Sequence, residues 1–363
     1  MRSTYGEALK LTIYGQSHDP HIGMILEGIP SGLPVDVEQL QSLLTRRMPG
    51  KNEWSTSRRE ADIPHFLRGI TDGCTNGQPL EAIIYNQDVR SGDYEQFKIY
   101  PRPGHADYTA YVKYGNDAWI SGGGHFSGRM TAPLCIAGGL CMQWLNNMGV
   151  QIAAHIFSIA DVTDASFNPM MPELQEIGTD FPVLDSQKGA LMCQRILEAK
   201  TDGDSLGGTI ECAATGLPAG WGGPMFAGIE SRIAQIVYGI PAVKGVEFGS
   251  GFLAAQLKGS ENNDAFAVEG DKIVTRTNHC GGILGGITDG MPVIFRVAMK
   301  PTPSIAKPQQ TVNLKTGEIT TIEIKGRHDP CIVPRAVPVV EAAAAIAIYD
   351  LILGNTQTDR RKN

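Results

Sequence analysis

Ser121-Gly122-Gly123-Gly124-His125-Phe126-Ser127-Gly128-Arg129-Met130-Thr131 is the one stretch where a glycine loop, a helix start and ionisable side chains coincide. Three consecutive glycines let backbone N–H groups converge at φ/ψ values closed to other residues, so an anion could rest there. From Ser127 the chain runs through Ala132, Leu134, Ile136, Ala137 and Leu140 to Trp144. It is apolar on most sides, which predicts a buried helix whose N-terminus faces the loop. Pro133 is compatible with that helix only in its first turn. The pattern is neither the Gly-x-Gly-x-x-Gly dinucleotide fingerprint nor the Walker form ending in Lys-Ser/Thr. The loop alone leaves two readings open: a phosphate or flavin site, and a tight turn made for packing.

Composition narrows the classes. The 363 residues are 42% hydrophobic and 19% charged, enough to bury a large core as one big domain or two ordinary ones. Net charge is −7 with no block dense in lysine or arginine, so the electrostatic footprint of a nucleic-acid binder is missing and any basic site must be local. No stretch resembles a secretory signal, and Glu341 and Asp350 interrupt the apolar run at 336–353. That argues against a membrane span and for the cytoplasm. Seven cysteines, odd in number and never spaced Cys-x-x-Cys, suit neither a disulfide framework nor a zinc site. No metal is expected, and the thiols read as small core residues.

In chain order, residues 8–14 alternate as a half-buried strand does and run into Gly15-Gln16-Ser17-His18-Asp19-Pro20, placing His18 just past a strand end. A second strand over 23–27 leads into Gly28-Ile29-Pro30-Ser31-Gly32, and Gly216-Leu217-Pro218-Ala219-Gly220 follows another over 209–213. This faint repeat hints that the two halves share a plan. Asp36 is a good N-cap for a helix with Val37, Leu40, Leu43 and Leu44 on one face, ending at Arg46 and Arg47, whose charges complement the dipole. Residues 48–60 lack periodicity and carry Lys51, Arg58 and Arg59, reading as a cationic flap. Strands are expected over 81–85, 151–159 and 292–299, helices over 190–199 and 229–238, and an apolar terminal helix over 337–353 ending at Gly354. Strands and helices arrive in groups, so the fold class is α+β with antiparallel sheets packed on helices. The polar segment 355–363 is expected to fray as a disordered tail after a single domain over 1–354.

Five of the eight histidines, His18, His105, His125, His279 and His328, lie beside glycine or in turn-like sequence, while His65 and His155 fall in apolar surroundings and read as structural. Arg102-Pro103-Gly104-His105-Ala106-Asp107-Tyr108 and Gly326-Arg327-His328-Asp329-Pro330 each pair a fixed cation with a proton carrier. A small polyanion needs several arginines for charge and bidentate hydrogen bonds, and imidazole or carboxylate for proton transfer. Asn278-His279-Cys280-Gly281-Gly282-Ile283-Leu284-Gly285-Gly286-Ile287 and Lys300-Pro301-Thr302-Pro303-Ser304 flank a strand. They suit either a planar ring against bare backbone with a phosphate beside it, or a pair of hairpin turns.

Three separated motifs resemble those of chorismate synthases: Gly15-Gln16-Ser17-His18 running to Glu27-Gly28-Ile29-Pro30, Gly124 through Thr131, and Gly326-Arg327-His328-Asp329-Pro330-Cys331 running to Glu341-Ala342. The Arg102–Tyr108 turn, Pro241-Ala242-Val243-Lys244-Gly245-Val246-Glu247, the 278–287 glycine run and Lys300-Pro301-Thr302 extend the likeness over nearly the whole chain. The resemblance implies helices sandwiched between antiparallel sheets with an internal pseudo-repeat. It also implies a homotetramer and conversion of 5-enolpyruvylshikimate 3-phosphate to chorismate and phosphate by 1,4-anti elimination. Reduced FMN would be required without net oxidation, with a separate flavin reductase as electron source. By motif match, His18 would assist the departing phosphate, His105 would keep the flavin in its productive protonation state, and Asp329 would help move a proton near flavin N5. Ser17, Arg47, Arg102, Arg129 and Arg327 would hold substrate anions. His125, Phe126, Ser127, Pro241, Ala242, Gly285, Lys300, Pro301, Thr302, Pro303, Ser304 and Arg327 match flavin-contacting positions.

The chain departs from the family pattern at Gln16 and Asp19, where Gly-Glu-Ser-His-Gly is usual, and at His125 and Glu53, where arginines are usual. Each departure changes a charge beside an anion. His125 can keep a contact through an N–H donor whose charge depends on pH. Two other readings remain for the function: a flavin-dependent oxidoreductase consuming NAD(P)H, and a paralogue that binds ligand without turning it over.

Overall fold

The computed structural model describes residues 2–50, 52, 54–55, 60–87, 91–115, 121–324 and 328–360. In the first half, strands β1 (Arg2–Tyr5), β2 (Lys10–Gly15) and β3 (His21–Glu27) precede helix α1 (Val37–Arg47). Strand β4 (His65–Arg68), the small hairpin β5 (Ile70–Thr71) and β6 (Cys74–Thr75), strand β7 (Leu80–Tyr85), and helices α2 (Asp107–Tyr114) and α3 (Thr131–Asn146) follow. The second half opens with β8 (Gln151–Ile159), β9 (Val162–Thr163), α4 (Ser186–Thr201), β10 (Gly208–Thr215), α5 (Ile229–Val237) and β11 (Val243–Phe248). It continues through α6 (Gly259–Asn262), the hairpins β12 (Phe266–Glu269) with β13 (Lys272–Thr275) and β14 (Ile283–Leu284) with β15 (Ile287–Thr288), and strand β16 (Val293–Met299). The last hairpin, β17 (Gln309–Val312) with β18 (Ile319–Ile322), precedes α7 (Val333–Arg360).

Two five-stranded antiparallel sheets, ordered β1-β2-β3-β7-β4 and β11-β16-β10-β8-β9, bracket a helical layer. The architecture is α+β. Helix α3 is apolar on nearly every face because α7 and α1 take one side and the first sheet the other; all but two of its sixteen residues are buried. The backbones of α3 and α7 approach so closely that a Cβ on Gly138 would stand 2.3 Å from the Ala342 Cβ. Both helices and the inner faces of both sheets form one continuous core.

The repeat hinted at by the two pentapeptides is a repeat of geometry. Gly28 and Gly216 both take positive φ, +85° and +79°. A Cβ at either would strike a carbonyl just ahead of the neighbouring strand, Ala8 O at 2.0 Å or Gly149 O at 2.1 Å, so only glycine fits. In each half a threonine on the small hairpin stitches the turn: Thr75 Oγ1 donates to Pro30 O, and Thr288 Oγ1 to Pro218 O, both at 2.7 Å. Gly32 N and Gly220 N return the bond to Thr75 O and Thr288 O. Each half thus places a helix, α1 or α5, after the turn and a long apolar helix, α3 or α7, after its last central strand.

Local chemistry explains the element ends. Asp36 caps α1 by accepting from Gln39 N at 2.9 Å, Glu38 sits in its first turn and Arg46 and Arg47 in its last. Helix α4 is longer than the 190–199 expectation because Asp185 caps it from Gln187 N and Lys188 N. The terminal helix also exceeds its expected bounds, starting at Val333 and running past Gly354 to Arg360. A single glycine costs a helix only about 1 kcal/mol, too little by itself to end one. Residues 361–363 lie outside the described set. Helix α7 is long and apolar enough to cross a membrane, yet 89% of its apolar window is buried inside the protein.

His155 departs from the apolar setting expected for it. It is fully buried between Asp164 and Glu211, each 3.1 Å from one ring nitrogen. Burial opposes its charge, but the two carboxylates outweigh burial and raise its pKa. Glu211 also binds Arg296 at 2.8 Å, so a row of charges lies across the second sheet. Glu211 belongs to the apolar strand β10, so nothing in its spacing announced the partner. His65, also expected in apolar surroundings, is exposed on β4 with its ring edge-on to Tyr85.

Candidate active site

The ends of these elements enclose a cavity of about 430 Å³. The first half contributes Arg47 from the end of α1, Arg102 and His105 from the turn before α2, and Phe126, Ser127 and Arg129 from the glycine stretch. The second half contributes Pro241 and Ala242 after α5, Lys300, Thr302, Pro303 and Ser304 after β16, and Asp329 ahead of α7. Ile240, Met299, Ile332, Ala336 and Val339 give it an apolar wall. Loops distant in sequence therefore converge, and Arg47, His105 and Asp329 share one space.

The glycine stretch is a pair of 3₁₀ turns, Ser121–Phe126 and Gly128–Met130, with Ser127 capping the second by accepting from Arg129 N at 3.2 Å. Gly123, at φ +95°, lies against the His105 ring, where a Cβ would stand 3.2 Å from Cε1. Close packing of the imidazole is one reason for glycine at 123. His105 is fixed from its other side: Nδ1 is 2.7 Å from Asp107 Oδ1 and donates to it, a carboxylate being the stronger acceptor there. Arg102 Nη2, 3.0 Å from the same nitrogen, donates to Asp107 Oδ1 at 2.8 Å. This assignment leaves His105 Nε2 with its lone pair. Burial first, with Arg102 and Lys300 adding to it, lowers the His105 pKa against the pull of Asp107. Asp107 itself is held below the usual carboxylate range by Arg102 and His105, although burial alone would raise it.

Arg102 also donates to Ser304 Oγ at 3.2 Å and lies over the Phe97 ring at 4.6 Å. Arg47 donates from Nε to Thr131 Oγ1 and from Nη2 to Gly128 O, both at 3.1 Å. Asp62 stands between Arg47 and Arg129 with an ion pair to each, and the two guanidiniums lower its pKa although its carboxylate is fully buried. Arg129 Nε donates to Asn86 Oδ1 at 2.9 Å, while its Nη2 is buried without a hydrogen bond among the described residues, Glu60 being 3.6 Å away. Arg335 donates to Arg47 O at 3.0 Å and forms an ion pair with Asp329, tying the end of α1 to the start of α7.

Several expected residues lie elsewhere. His125 does not line the cavity: Nδ1 is 2.9 Å from Gly15 O and Nε2 2.8 Å from Ser3 Oγ, so the ring fastens β1 to the turn after β2. An imidazole is too short to make those bonds and reach the wall as well. Gly285 sits in the exposed turn between β14 and β15, and Pro301 faces away between two lining residues. Ser17 is buried behind the glycine loop, its N donating to Gly124 O at 3.2 Å and its Oγ 3.1 Å from His18 Nδ1. That bond hangs the His18 turn on the glycine loop, outside the wall. Arg327, and the flap residues Lys51, Glu53, Arg58 and Arg59, lie outside the described residues.

Asp62, Glu60, Asp107 and Arg335 are the site residues that sequence reasoning did not assign. Arg335 carried a usable signal, being the only lysine or arginine between residues 329 and 359. Asp107, two residues beyond His105, carried another. Asp62 had none, because it follows an aperiodic stretch and takes a left-handed φ of +47°.

A cavity that gathers arginines, a lysine, a poised imidazole and a carboxylate on one side, with an aliphatic wall on the other, defines an enzyme site for an anionic small molecule in an α+β double-sheet scaffold. The family model described as chorismate synthase matches residues 9–353. A chorismate synthase of Lancefieldella parvula is 46% identical, covering 97% of this chain and 96% of that protein. One of Korarchaeum cryptofilum is 44% identical, covering 96% and 97%. A crystal structure of a chorismate synthase superposes with a TM-score of 0.74 at 27% identity, covering 96% of this chain and 93% of that one. The chain belongs to the chorismate synthase family, enzymes of the shikimate pathway.

Proposed function

We propose that this cavity converts 5-enolpyruvylshikimate 3-phosphate to chorismate and phosphate by 1,4-anti elimination in the presence of reduced FMN. The observation carrying this reading is that three buried polar atoms without hydrogen bonds among the described residues, Arg129 Nη2, Thr302 Oγ1 and His328 Nε2, belong to residues of one cavity wall. Buried polar atoms seldom go unpaired, so such a wall fits ligands rich in phosphate, carboxylate and ring heteroatoms. The residues present therefore suit a flavin as well as the substrate: Lys300, Thr302 and Ser304 for its phosphate, and the aliphatic wall for its ring. When bound, reduced FMN would supply an electron-rich ring to the elimination with no net redox change.

In the reaction the C–O bond to phosphate breaks, a ring proton is lost and a second ring double bond forms. Arg47, Arg102 and Arg129 hold the anions with charge and directed N–H bonds, and Arg327 is assigned with them by motif. His18 is assigned to the departing phosphate by motif alone, because its turn, suspended on Gly124, stands outside the cavity wall. His105, neutral because burial lowers its pKa, presents its Nε2 lone pair to hold or accept a proton. Asp329, oriented by Arg335, relays the ring proton. Exposed Phe226, Phe252 and Val268 support assembly with further copies, assigned as a homotetramer, and we place the enzyme in the cytoplasm with a separate flavin reductase.

The test is anaerobic incubation of the protein with substrate and chemically reduced FMN. Stoichiometric phosphate and chorismate are expected, and their absence would overturn the proposal. Steady NAD(P)H consumption would establish an oxidoreductase instead, and tight binding of both ligands without turnover a non-catalytic paralogue.

A further inference from the structure

His328 stands in the cavity wall immediately before Asp329, and no catalytic or binding role has been given to it by motif. Its surroundings differ from those of the other wall imidazole. His105 has Nδ1 committed to Asp107 and its ring packed on Gly123. His328 Nε2 is shut off from water and finds no hydrogen-bond partner among the described residues. An aliphatic side chain would fill the same volume without leaving a polar atom stranded, so the imidazole costs the ligand-free fold something that a ligand atom would restore.

Its charge state limits what the ring can do. Burial, with Arg102 next and His105 after it, drives the His328 pKa down to about 4, against the weaker pull of Asp329. At neutral pH the ring therefore carries one N–H and one lone pair. Beside Arg102 it adds direction and no charge, which suits a polar ring atom or a carbonyl-type oxygen better than a phosphate.

We propose that His328 is a ligand-contacting residue of this cavity, its Nε2 hydrogen-bonding a polar atom of the bound flavin ring or of the phosphorylated cyclohexene. The inference rests on the function proposed above, and the two ligands are separated by the experiment. Oxidised FMN, followed by fluorescence quenching, and the substrate, followed by calorimetry, are each titrated into wild type, His328→Ala and His328→Gln. His328→Ala is expected to lose about tenfold in affinity for one ligand, and His328→Gln, which keeps an N–H donor of similar reach, to recover most of it. Loss confined to FMN identifies the flavin contact, and loss confined to the substrate the other. Unchanged affinity for both in His328→Ala would overturn the inference. Should His328→Ala fail to fold, the 15N resonance of His328 Nε2 in selectively labelled wild type decides instead. It should move on saturation with one ligand, and a resonance indifferent to both would overturn the inference. Wild type that takes up neither ligand would remove the proposed function as well, which unchanged affinities in the variant would not.

Discussion

Asp62→Asn tests the electrostatic construction of the cavity. The carboxylate is fully buried between Arg47 and Arg129, whose side chains are each 3% exposed. Asparagine is nearly isosteric and tolerates the left-handed φ of +47° at this position, so the substitution removes charge with little backbone strain. What remains is two buried guanidiniums facing an amide. Breaking a buried ion pair by removing one partner costs about 3–5 kcal/mol. With an unfolding entropy of about 2.1 cal/mol/K per residue, that corresponds to a melting-temperature loss of about 4–7 °C for the whole chain. The two guanidiniums, no longer neutralised, should hold an anion more tightly in the cavity that both of them line. Inorganic phosphate at a hundred times its Kd would return about 2.7 kcal/mol, roughly half the loss or more. Scanning calorimetry of both proteins with and without phosphate reads this directly. The acid side gives an independent check. Because the guanidiniums lower the Asp62 pKa, its contribution is complete above the unfolded value of about 3.9 and lost as pH falls through the lower folded value. The variant should lack that increment of acid sensitivity. A variant melting with wild type, or one that phosphate stabilises no more than wild type, would refute the reasoning.

Three further outcomes are expected. His155→Gln should cost about 3–5 kcal/mol near neutral pH by removing the cation buried between Asp164 and Glu211. Because the His155 pKa is raised, its contribution is complete below about 6.5 and disappears as pH climbs through the folded value; denaturation midpoints in the variant that fall with pH as in wild type would contradict this. Gly138→Ala should cost about 1–3 kcal/mol by wedging α3 from α7, and an unchanged urea midpoint would disprove the close crossing. His105→Ala should lower turnover about 100-fold or more with fold and assembly intact, and normal steady-state rates would remove it from the chemistry.

The parts of the fold written in local periodicity could be read directly from the residues. The α1 cap at Asp36, the alternation through Leu9, Leu11 and Ile13, and the apolar run of α3 each depend on neighbours a few positions away. The site was legible through motifs at Arg102, His105, Arg129 and Lys300. What depended on distant partners was not. Asp62 acquires its role only when α1 and the glycine stretch converge on it, and the cavity-facing place expected of His125 is lost to Ser3, which is 122 residues away. The internal repeat was read at Gly28 and Gly216, where glycine is sterically required, while the second trace of it, Gly-Ile-Thr-Asp-Gly at 69–73 and again at 286–290, was passed over because the matching threonines, Thr75 and Thr288, fall at different places relative to that pentapeptide.

Helix α7, the most C-terminal helix among the described residues, supplies Arg335, Ala336 and Val339 to the cavity and covers the apolar face of α3. A nascent chain can complete its first sheet while α3 still has an uncovered flank, and it holds no finished ligand site until α7 leaves the ribosome. Ligand capture can therefore seal the product of translation but not guide its early stages. Ribosome-stalled chains ending at residue 324 should bind a hydrophobic dye and fail to quench flavin fluorescence; quenching equal to that of the full chain would disprove this order of events.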